Sequence, residues 1–346
     1  MAMMHGSSQL LQHALMPFQS FLSDDTVEDI LMQRPGEVFV QAGGKTTRHD
    51  INVDYVDMQT IAILAGASRR QNVSHSQPLL SCDLSGGIRL QAVFPPCVED
   101  GTVALAIRRP KGRLSDLDEI GDGGIFANVS PPTNDHSPET LALVDLYHTA
   151  CVATDAGNRT RLWKEFLRAT IKARMTHVLC GQVGSGKTFF SKALANEIPL
   201  EDRMVTIQDA DEWNALPHPN RVNLFYSKGG QGATSVGPTD LVEAGLRLAM
   251  RWLLLQEVRG AEAHSFMRAR LSGHPGLTTC HADSVLAAFP ALVSMIKKSP
   301  EAAHDDAADI DRALRSLIDV VIHFHRPNDR FEISEVWFRP AQEIGA

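Results

Sequence analysis

Residues 181–188 read GQVGSGKT and match the pattern G-x-x-x-x-G-K-[S/T]. The apolar run HVLCG precedes the match and the helix-like run TFFSKALANEI follows it, which is the strand–loop–helix context that the pattern requires. Glycines let successive backbone N–H groups surround phosphate oxygens, and the next helix directs its positive end at the same anion. The sequence therefore predicts a loop that binds nucleotide phosphates. The alternative is a glycine-rich turn that binds nothing.

The loop also predicts the roles of individual side chains. Lys187 is expected to reach the β- and γ-phosphates, and the Thr188 hydroxyl to coordinate Mg²⁺. A carboxylate is expected beside the metal, and Glu257 ends the apolar run WLLLQE. ATP and Mg²⁺ are therefore the predicted cofactors, with Thr188 and Glu257 as the metal ligands. The loop residues expected to contact the nucleotide are Gly181, Gln182, Val183, Gly184, Ser185, Gly186, Lys187, Thr188 and Phe189.

The chain of 346 residues is long enough for two domains. Residues 1–110 are predicted to form a smaller α+β domain. In it, DDTVEDILMQ is typical of a helix with its N-cap at Asp24 or Asp25, whereas EVFVQAGGKTTRHDINV, GIRLQAVFPP and TVALAIRRP are typical of strands. The stretch LLQHALMPFQSFL carries an apolar stripe that is predicted to face the core, with a break at Pro17. The alternative for this stretch is a helix on a membrane surface.

A segment rich in Gly, Pro, Asn, Asp and Ser, GDGGIFANVSPPTNDHSPET, predicts a linker, which we place at 111–150. Over 151–346, short apolar strands alternate with helices, which favours an α/β domain with a parallel sheet. The predicted strands are HVLCG, MVTIQD, RVNLFY, WLLLQE, LTTCH and DVVIHFH. The tail VVIHFHRPNDRFEISEVWF predicts a hairpin that turns at RPND and adds an antiparallel edge.

Composition excludes several classes of protein. The formal net charge of −8 argues against broad electrostatic capture of nucleic acid. The five cysteines form no CxxC pair and are odd in number, which disfavours a disulfide framework or a zinc cluster and favours a reducing compartment. No apolar run approaches the roughly 18 residues of a membrane span, and the N-terminus lacks the features of a secretory signal. A cytoplasmic location is therefore predicted.

Several stretches resemble the secretion-ATPase superfamily in order and spacing: GQVGSGKT, TIQDADEW, PNRVNLFY, LLLQEVRGAEAHSFMRA and SGHPGLTTCHADS. The phrases HPNRVNLFY, LLQEVRGAEA and EISEVWF are most similar to the hexameric traffic ATPases of type IV secretion systems. The resemblance implies a RecA-like P-loop NTPase domain, a homohexamer and an ATP-driven motor for secretion. It also implies peripheral association with the inner membrane through other secretion subunits and ATPases, with secreted proteins or DNA–protein complexes as indirect substrates.

The resemblance implies further site residues. The acidic box falls on QDADE, where Glu212 would polarise or position the attacking water beside Asp209, although Gln208 stands where many relatives carry glutamate. The histidine box falls on His274 and His281, which would sense the γ-phosphate or serve as structural residues. Two arginines of the N-terminal part would contact phosphate across a cleft, and their alternative is a solvated strand face. They are Arg89 and Arg108.

One further departure concerns residues 249–252. Relatives tend to read Arg-Pro-x-Arg before the acidic strand end, whereas this chain reads AMRW, and Arg247 or Arg251 are candidate substitutes. Three alternatives to the type IV motor remain open. The chain could power a pilus or type II secretion, it could move nucleic acid, or it could be a nucleotide-binding scaffold with impaired hydrolysis.

Overall fold

The computed structural model describes residues 9–110, 116–131, 136–227 and 232–344. Among these residues it contains two β-sheets, one from each half of the chain. The first sheet is antiparallel with the strand order β3-β2-β1-β6-β5-β4, and the second is mostly parallel with the order β13-β12-β7-β11-β10-β8-β9. Each sheet has helices on at least one face, so each half buries apolar residues of its own.

The N-terminal sheet follows a short helical region. Residues 9–14 form α1, a 3₁₀ turn covers Met16–Phe18, and Gln19–Leu22 form α2. The strands are β1 (Val27–Met32), β2 (Glu37–Ala42), β3 (Lys45–Asp50), β4 (Leu79–Asp83), β5 (Arg89–Val93) and β6 (Ala104–Arg108), and α3 (Tyr55–Ser68) lies between β3 and β4. The apolar stripe of the first helices faces this core, as predicted, because Leu11, Leu15 and Phe18 are buried with α3.

The predicted helix over DDTVEDILMQ is wrong, since Val27–Met32 form strand β1 at the centre of the sheet. Of the two candidate N-cap residues, Asp24 and Asp25, Asp24 accepts the N–H of Thr26 two residues on, which is a turn contact and not a helix cap. β1 pairs with β2 on one side and with β6 on the other. Tertiary pairing on both sides therefore outweighs the local helical pattern.

The segment predicted as a linker contains two helices. They are α4 (Leu117–Asp122) and α5 (Pro138–Val152). Within α5, Leu143 and Val144 belong to a buried cluster of the C-terminal half, and the Tyr147 hydroxyl donates to the Val336 carbonyl. The predicted boundary between linker and second domain, at 150/151, falls inside α5. The division into domains therefore stays a prediction.

The C-terminal sheet contains every strand predicted for it. Its strands are β7 (His177–Gly181), β8 (Met204–Gln208), β9 (Arg221–Phe225), β10 (Trp252–Leu255), β11 (Gly276–Cys280), β12 (Val320–His325) and β13 (Glu332–Phe338). The hairpin at RPND is also confirmed, because β13 pairs antiparallel with β12. The strands from β12 to β9 pair in parallel, so their carboxyl ends lie at one edge of the sheet.

Helices connect these strands and cover the sheet. They are α6 (Ala156–Lys172), α7 (Lys187–Asn196), α8 (Pro238–Arg247), α9 (Glu262–Leu271), α10 (Val285–Ile296), α11 (Ala307–Leu317) and α12 (Arg339–Ile344). The three helices predicted as TFFSKALANEI, TDLVEAGLRLAM and AEAHSFMRARL correspond to α7, α8 and α9. In the described parts of the chain, no helix has both the length and the apolar character needed to cross a membrane.

The two halves pack against each other beside β9. The N–H of Phe225 in β9 donates to the Cys97 carbonyl, and the Asn223 side chain donates to Glu99 at 2.6 Å. Arg203, which is fully buried, donates to Gln33 of the N-terminal half at 3.0 Å. One buried apolar cluster also contains residues of both halves. The edge strand β9 is therefore covered by the N-terminal half.

Candidate active site

The phosphate loop lies between the end of β7 and the start of α7, as the sequence predicts. Gly181 has φ +147°, and a Cβ atom there would come within 2.2 Å of the Phe324 carbonyl oxygen. Gly184 and Gly186 also have positive φ, +73° and +94°. Side chains at these positions would strain or block the loop. The glycines therefore fix a backbone curve whose N–H groups can face an anion.

Lys187 folds back over the loop. Its Nζ donates to the carbonyl oxygens of Gly181 and Gln182 at 2.7 and 2.8 Å, and only 7% of the residue is exposed. Burial lowers the pKa of Lys187, and the negative charge of Glu257 opposes that shift. Ser185 Oγ is buried and has no hydrogen-bond partner among the described residues. An ammonium held by carbonyls beside an unpartnered hydroxyl fits a site that binds phosphate oxygens.

Glu257 lies two residues beyond β10, at the edge of the sheet that carries the phosphate loop. Its carboxylate contacts Arg259, and its Oε1 is 2.8 Å from Nε2 of His281. Burial acts to raise the pKa of Glu257, but the hydrogen bond from Arg259 and the nearby positive charges lower it overall. Glu257 is therefore ionised at neutral pH, and its charge faces the buried Lys187.

His281 connects this carboxylate to the loop. Besides its contact with Glu257, its Nδ1 lies 3.2 Å from the Gly181 carbonyl oxygen. His281 and Asp283 line a cavity together with Gly181, Gln182 and Val183. The structure thus brings His281 to the phosphate loop, where the resemblance implies that it acts.

His274 lies elsewhere. It precedes β11, whereas His281 follows it, and β11 has five residues. An extended strand of that length spans roughly 17 Å, so the two histidines are at opposite edges of the sheet. Burial lowers the pKa of His274, although a hydrogen bond with the Met250 backbone acts to raise it. The structure does not bring His274 to the loop of its own chain.

The acidic box forms a turn after β8, on the same edge of the sheet. Gln208 is fully buried, and its Oε1 accepts the N–H groups of Glu212 and Trp213 at 2.9 and 3.3 Å. Glu212 itself is partly exposed, and its carboxylate is 3.6 Å from Nζ of Lys192 on α7. The Gln208 side chain therefore stabilises the turn that carries Glu212. Lys192 holds the Glu212 carboxylate close to α7, the helix that follows the phosphate loop.

The remaining loop residues differ in exposure. Val183 and Phe189 are 87% and 79% exposed, and Thr188 on the first turn of α7 is partly buried. A hydroxyl at Thr188 and an ionised carboxylate at Glu257 are oxygen donors of the kind that Mg²⁺ prefers. The residues present therefore fit the predicted metal.

Arg89 and Arg108 lie opposite each other on β5 and β6. They line a cavity between the two halves of the chain, whose other wall includes Leu246 and Arg247 of α8. That cavity shares no residue with the cavity at the phosphate loop. The structure therefore brings Arg89 and Arg108 together with Arg247, which is one of the two candidate substitutes for the missing arginines. It does not bring them to the phosphate loop of the same chain.

Arg259 belongs to the site although the sequence did not single it out. Its guanidinium contacts Glu257 and lies 3.8 Å from Oδ2 of Asp209. It thus bridges the acidic residues that follow β10 and β8. Its position two residues after Glu257 could have predicted this contact, because an arginine so close to a functional carboxylate is within reach of it.

Comparison with known proteins shows the family that the chain resembles. Residues 140–325 match the family described as Type II/IV secretion system protein. The chain is 37% identical to Protein VirB11 of Rhizobium radiobacter over 94% of this chain and 93% of that protein. It is 35% identical to the Type IV secretion system protein VirB11 of Bartonella quintana, over 95% and 93% of the two chains.

A solved structure has a similar fold. The crystal structure of the VirB11 ATPase from the Brucella suis type IV secretion system, in complex with sulphate, superposes with a TM-score of 0.86. It is 31% identical and covers 96% of this chain and 99% of its own. The predicted RecA-like fold with a smaller N-terminal α+β part is confirmed, and the pilus and type II alternatives are less supported. This chain belongs to the VirB11 family of type IV secretion ATPases.

Proposed function

We propose that this chain binds ATP at residues 181–189 and hydrolyses it with Mg²⁺ to energise assembly of a type IV secretion system or movement of its substrates. The observation that carries the proposal is the convergence of four groups at one edge of the C-terminal sheet. They are the phosphate loop after β7, Glu257 after β10, His281 after β11 and the Glu212 turn after β8. Parallel pairing is what places all four ends side by side.

Lys187 would exchange its two carbonyl partners for oxygens of the β- and γ-phosphates. The exchange is favourable because charge-assisted contacts to phosphate are stronger than contacts to neutral carbonyls. Its lowered pKa reflects the cost of keeping the ammonium buried, and phosphate charge would relieve that cost.

Thr188 and Glu257 would hold Mg²⁺, which would neutralise charge on the phosphates. Glu212 would position and polarise the attacking water, with Lys192 as its partner in the resting site. His281 contacts both Glu257 and the carbonyl of Gly181. It would therefore transmit the loss of the γ-phosphate to β7, the strand that ends at Gly181.

The work of the motor would come from movement of the N-terminal half. Arg89 and Arg108 are exposed in an interdomain cavity, and each would reach phosphate only after a rigid-body movement or from a neighbouring subunit. Both routes agree with a homohexamer whose subunits are related head to tail. Other type IV secretion subunits would hold this ring at the cytoplasmic face of the inner membrane.

Substitution of the loop lysine tests the proposal. Lys187→Ala removes the phosphate contact and should lower ATP turnover of the purified chain about 100-fold, with loss of secretion in cells. Lys172→Ala is the matched control, because Lys172 is an exposed lysine at the end of α6. Turnover in Lys187→Ala equal to that of the control would refute the assignment of the loop.

A further inference from the structure

The turn between β12 and β13, residues 326–331, lies against the phosphate loop. β12 is the neighbour of β7, and Phe324 pairs with Gly181, the first glycine of the loop. At the other end of the loop, a Cβ atom at Gly186 would lie 3.0 Å from Cδ1 of Phe331. The Phe331 ring therefore packs beside the last glycine of the loop.

Two phenylalanines near the loop are exposed: Phe331, at 62%, and Phe189, at 79%. The guanidinium carbon of Arg326 lies 5.1 Å from the Phe331 ring centroid, so that cation covers one face of the ring. Three ring atoms of Phe331, Cγ, Cδ1 and Cε1, lie nearest to Gly186. Because the residue as a whole is largely exposed, its ring is available to stack on a flat ligand.

The two sides of the phosphate loop differ in their chemistry. On the β11 side lie Glu257, His281 and Asp283, which are charged or polar groups suited to the terminal phosphate and to water. On the β12 side lies the Phe331 ring. Because the loop amides and Lys187 fix the phosphates, the other end of a nucleotide has to leave the loop on one side. An uncharged, planar base matches the β12 side.

We propose that Phe331 is the stacking platform for the nucleobase of the bound nucleoside triphosphate, with Arg326 supporting the ring from its other face. This proposal rests on the proposed function, since it takes the phosphates to be bound by the loop. Stacking on an aromatic face depends little on which base is present. The platform therefore contributes affinity for the nucleoside part of the ligand and not for its phosphates.

Binding of two ligands to the full chain separates these contributions. ATP carries a base and inorganic tripolyphosphate carries none, and affinities for both can be measured by calorimetry in the presence of Mg²⁺. Phe331→Ala should weaken ATP binding about tenfold, in line with the loss of one stacked base, and leave tripolyphosphate binding unchanged. Phe331→Trp, which keeps an aromatic face, should retain the affinity for ATP.

Two further variants control for general effects. Phe331→Leu keeps an apolar side chain against Gly186 but cannot stack, and it should lose ATP affinity as Phe331→Ala does. Phe126→Ala removes a phenylalanine of similar exposure, 58%, in the segment after α4, and it should bind both ligands as the unmodified chain does.

Unchanged ATP affinity in Phe331→Ala, or an equal loss for ATP and tripolyphosphate, would overturn the proposal. The equal loss would mean that Phe331 only supports the loop through Gly186. Failure of the proposed function looks different: the unmodified chain would bind neither ligand, or Lys187→Ala would bind both normally. That result would remove the nucleobase platform together with the phosphate site.

Discussion

Gln208 is the first residue of the acidic box, where the family resemblance implies a glutamate, and its amide has a structural task. Its oxygen accepts two backbone N–H groups of the acidic turn, and its nitrogen donates to Asp211 at 3.3 Å. A carboxylate at 208 could accept the same two N–H groups but could not donate to Asp211. The side chain therefore fixes the backbone that carries Glu212, and the missing carboxylate is not by itself a sign of lost catalysis.

Two substitutions at 208 test this interpretation. Gln208→Leu removes the acceptor of the buried Trp213 N–H and one of the two acceptors of the Glu212 N–H, whose other acceptor is the Ala210 carbonyl. It should lower the free energy of unfolding by about 2 kcal/mol and also lower ATP turnover. Gln208→Glu should leave turnover near that of the unmodified chain, because Glu212 already serves. Steady-state phosphate release and urea unfolding measure both effects. A large gain of turnover in Gln208→Glu would instead favour the scaffold with impaired hydrolysis.

At the scale of elements, strand β7 is fixed to α6 by His177, the first residue of the strand. Its Nε2 is 3.0 Å from Thr170 Oγ1 on α6, and its Nδ1 is 2.9 Å from the Met175 carbonyl oxygen. Burial lowers the pKa of His177 to about 4, although the charge of Asp319 opposes the shift. The strand that leads into the phosphate loop is therefore held by a neutral histidine.

This histidine should make the fold sensitive to acid. Its pKa is lower in the folded chain than in the unfolded chain, so between pH 6.5 and about 4 only the unfolded chain gains the proton. The stability that neutral His177 contributes is fully present above pH 6.5, and it is lost as the pH falls below that value. From pH 7.5 to 5.5, the loss should be about 1 kcal/mol greater in the unmodified chain than in His177→Asn. Urea unfolding at both pH values measures the difference, and equal losses would contradict the assignment.

For the molecule as a whole, the main feature is that two groups of charged residues lie in separate cavities. The phosphate loop and its acidic neighbours form one, and the arginines of β5 and β6 with Arg247 form the other. Buried contacts such as that of Arg203 with Gln33 connect the two halves of the chain. Burial lowers the pKa of Arg203 to about 9, so this guanidinium remains charged at neutral pH inside the interface.

The role proposed for the arginines of the N-terminal half can be tested directly. Arg108→Ala should lower ATP turnover about tenfold, equivalent to one charge-assisted contact. The melting temperature should change little, because the side chain is exposed, although its charge favours ionisation of the buried Asp29. Arg48→Ala, on the outer strand β3 of the same sheet, is the control. Normal kinetics in Arg108→Ala would leave only the alternative of a solvated strand face.

Features that depend on neighbouring residues follow from the amino-acid sequence alone. The phosphate loop is specified by eight consecutive residues, whose glycines permit the backbone curve and whose lysine closes it. The strands of the C-terminal sheet were predictable because apolar runs alternate with helices, and their parallel order then places Glu257 and His281 at one edge.

Features that depend on residues far apart along the chain follow from the fold. Residues 27–32 are a strand because β2 and β6 flank them, and His274 is far from the loop because β11 separates it from His281. The contact of Phe331 with Gly186 joins residues that are far apart along the chain. Local sequence limits backbone conformation, whereas the order of strands in the sheets determines which side chains meet.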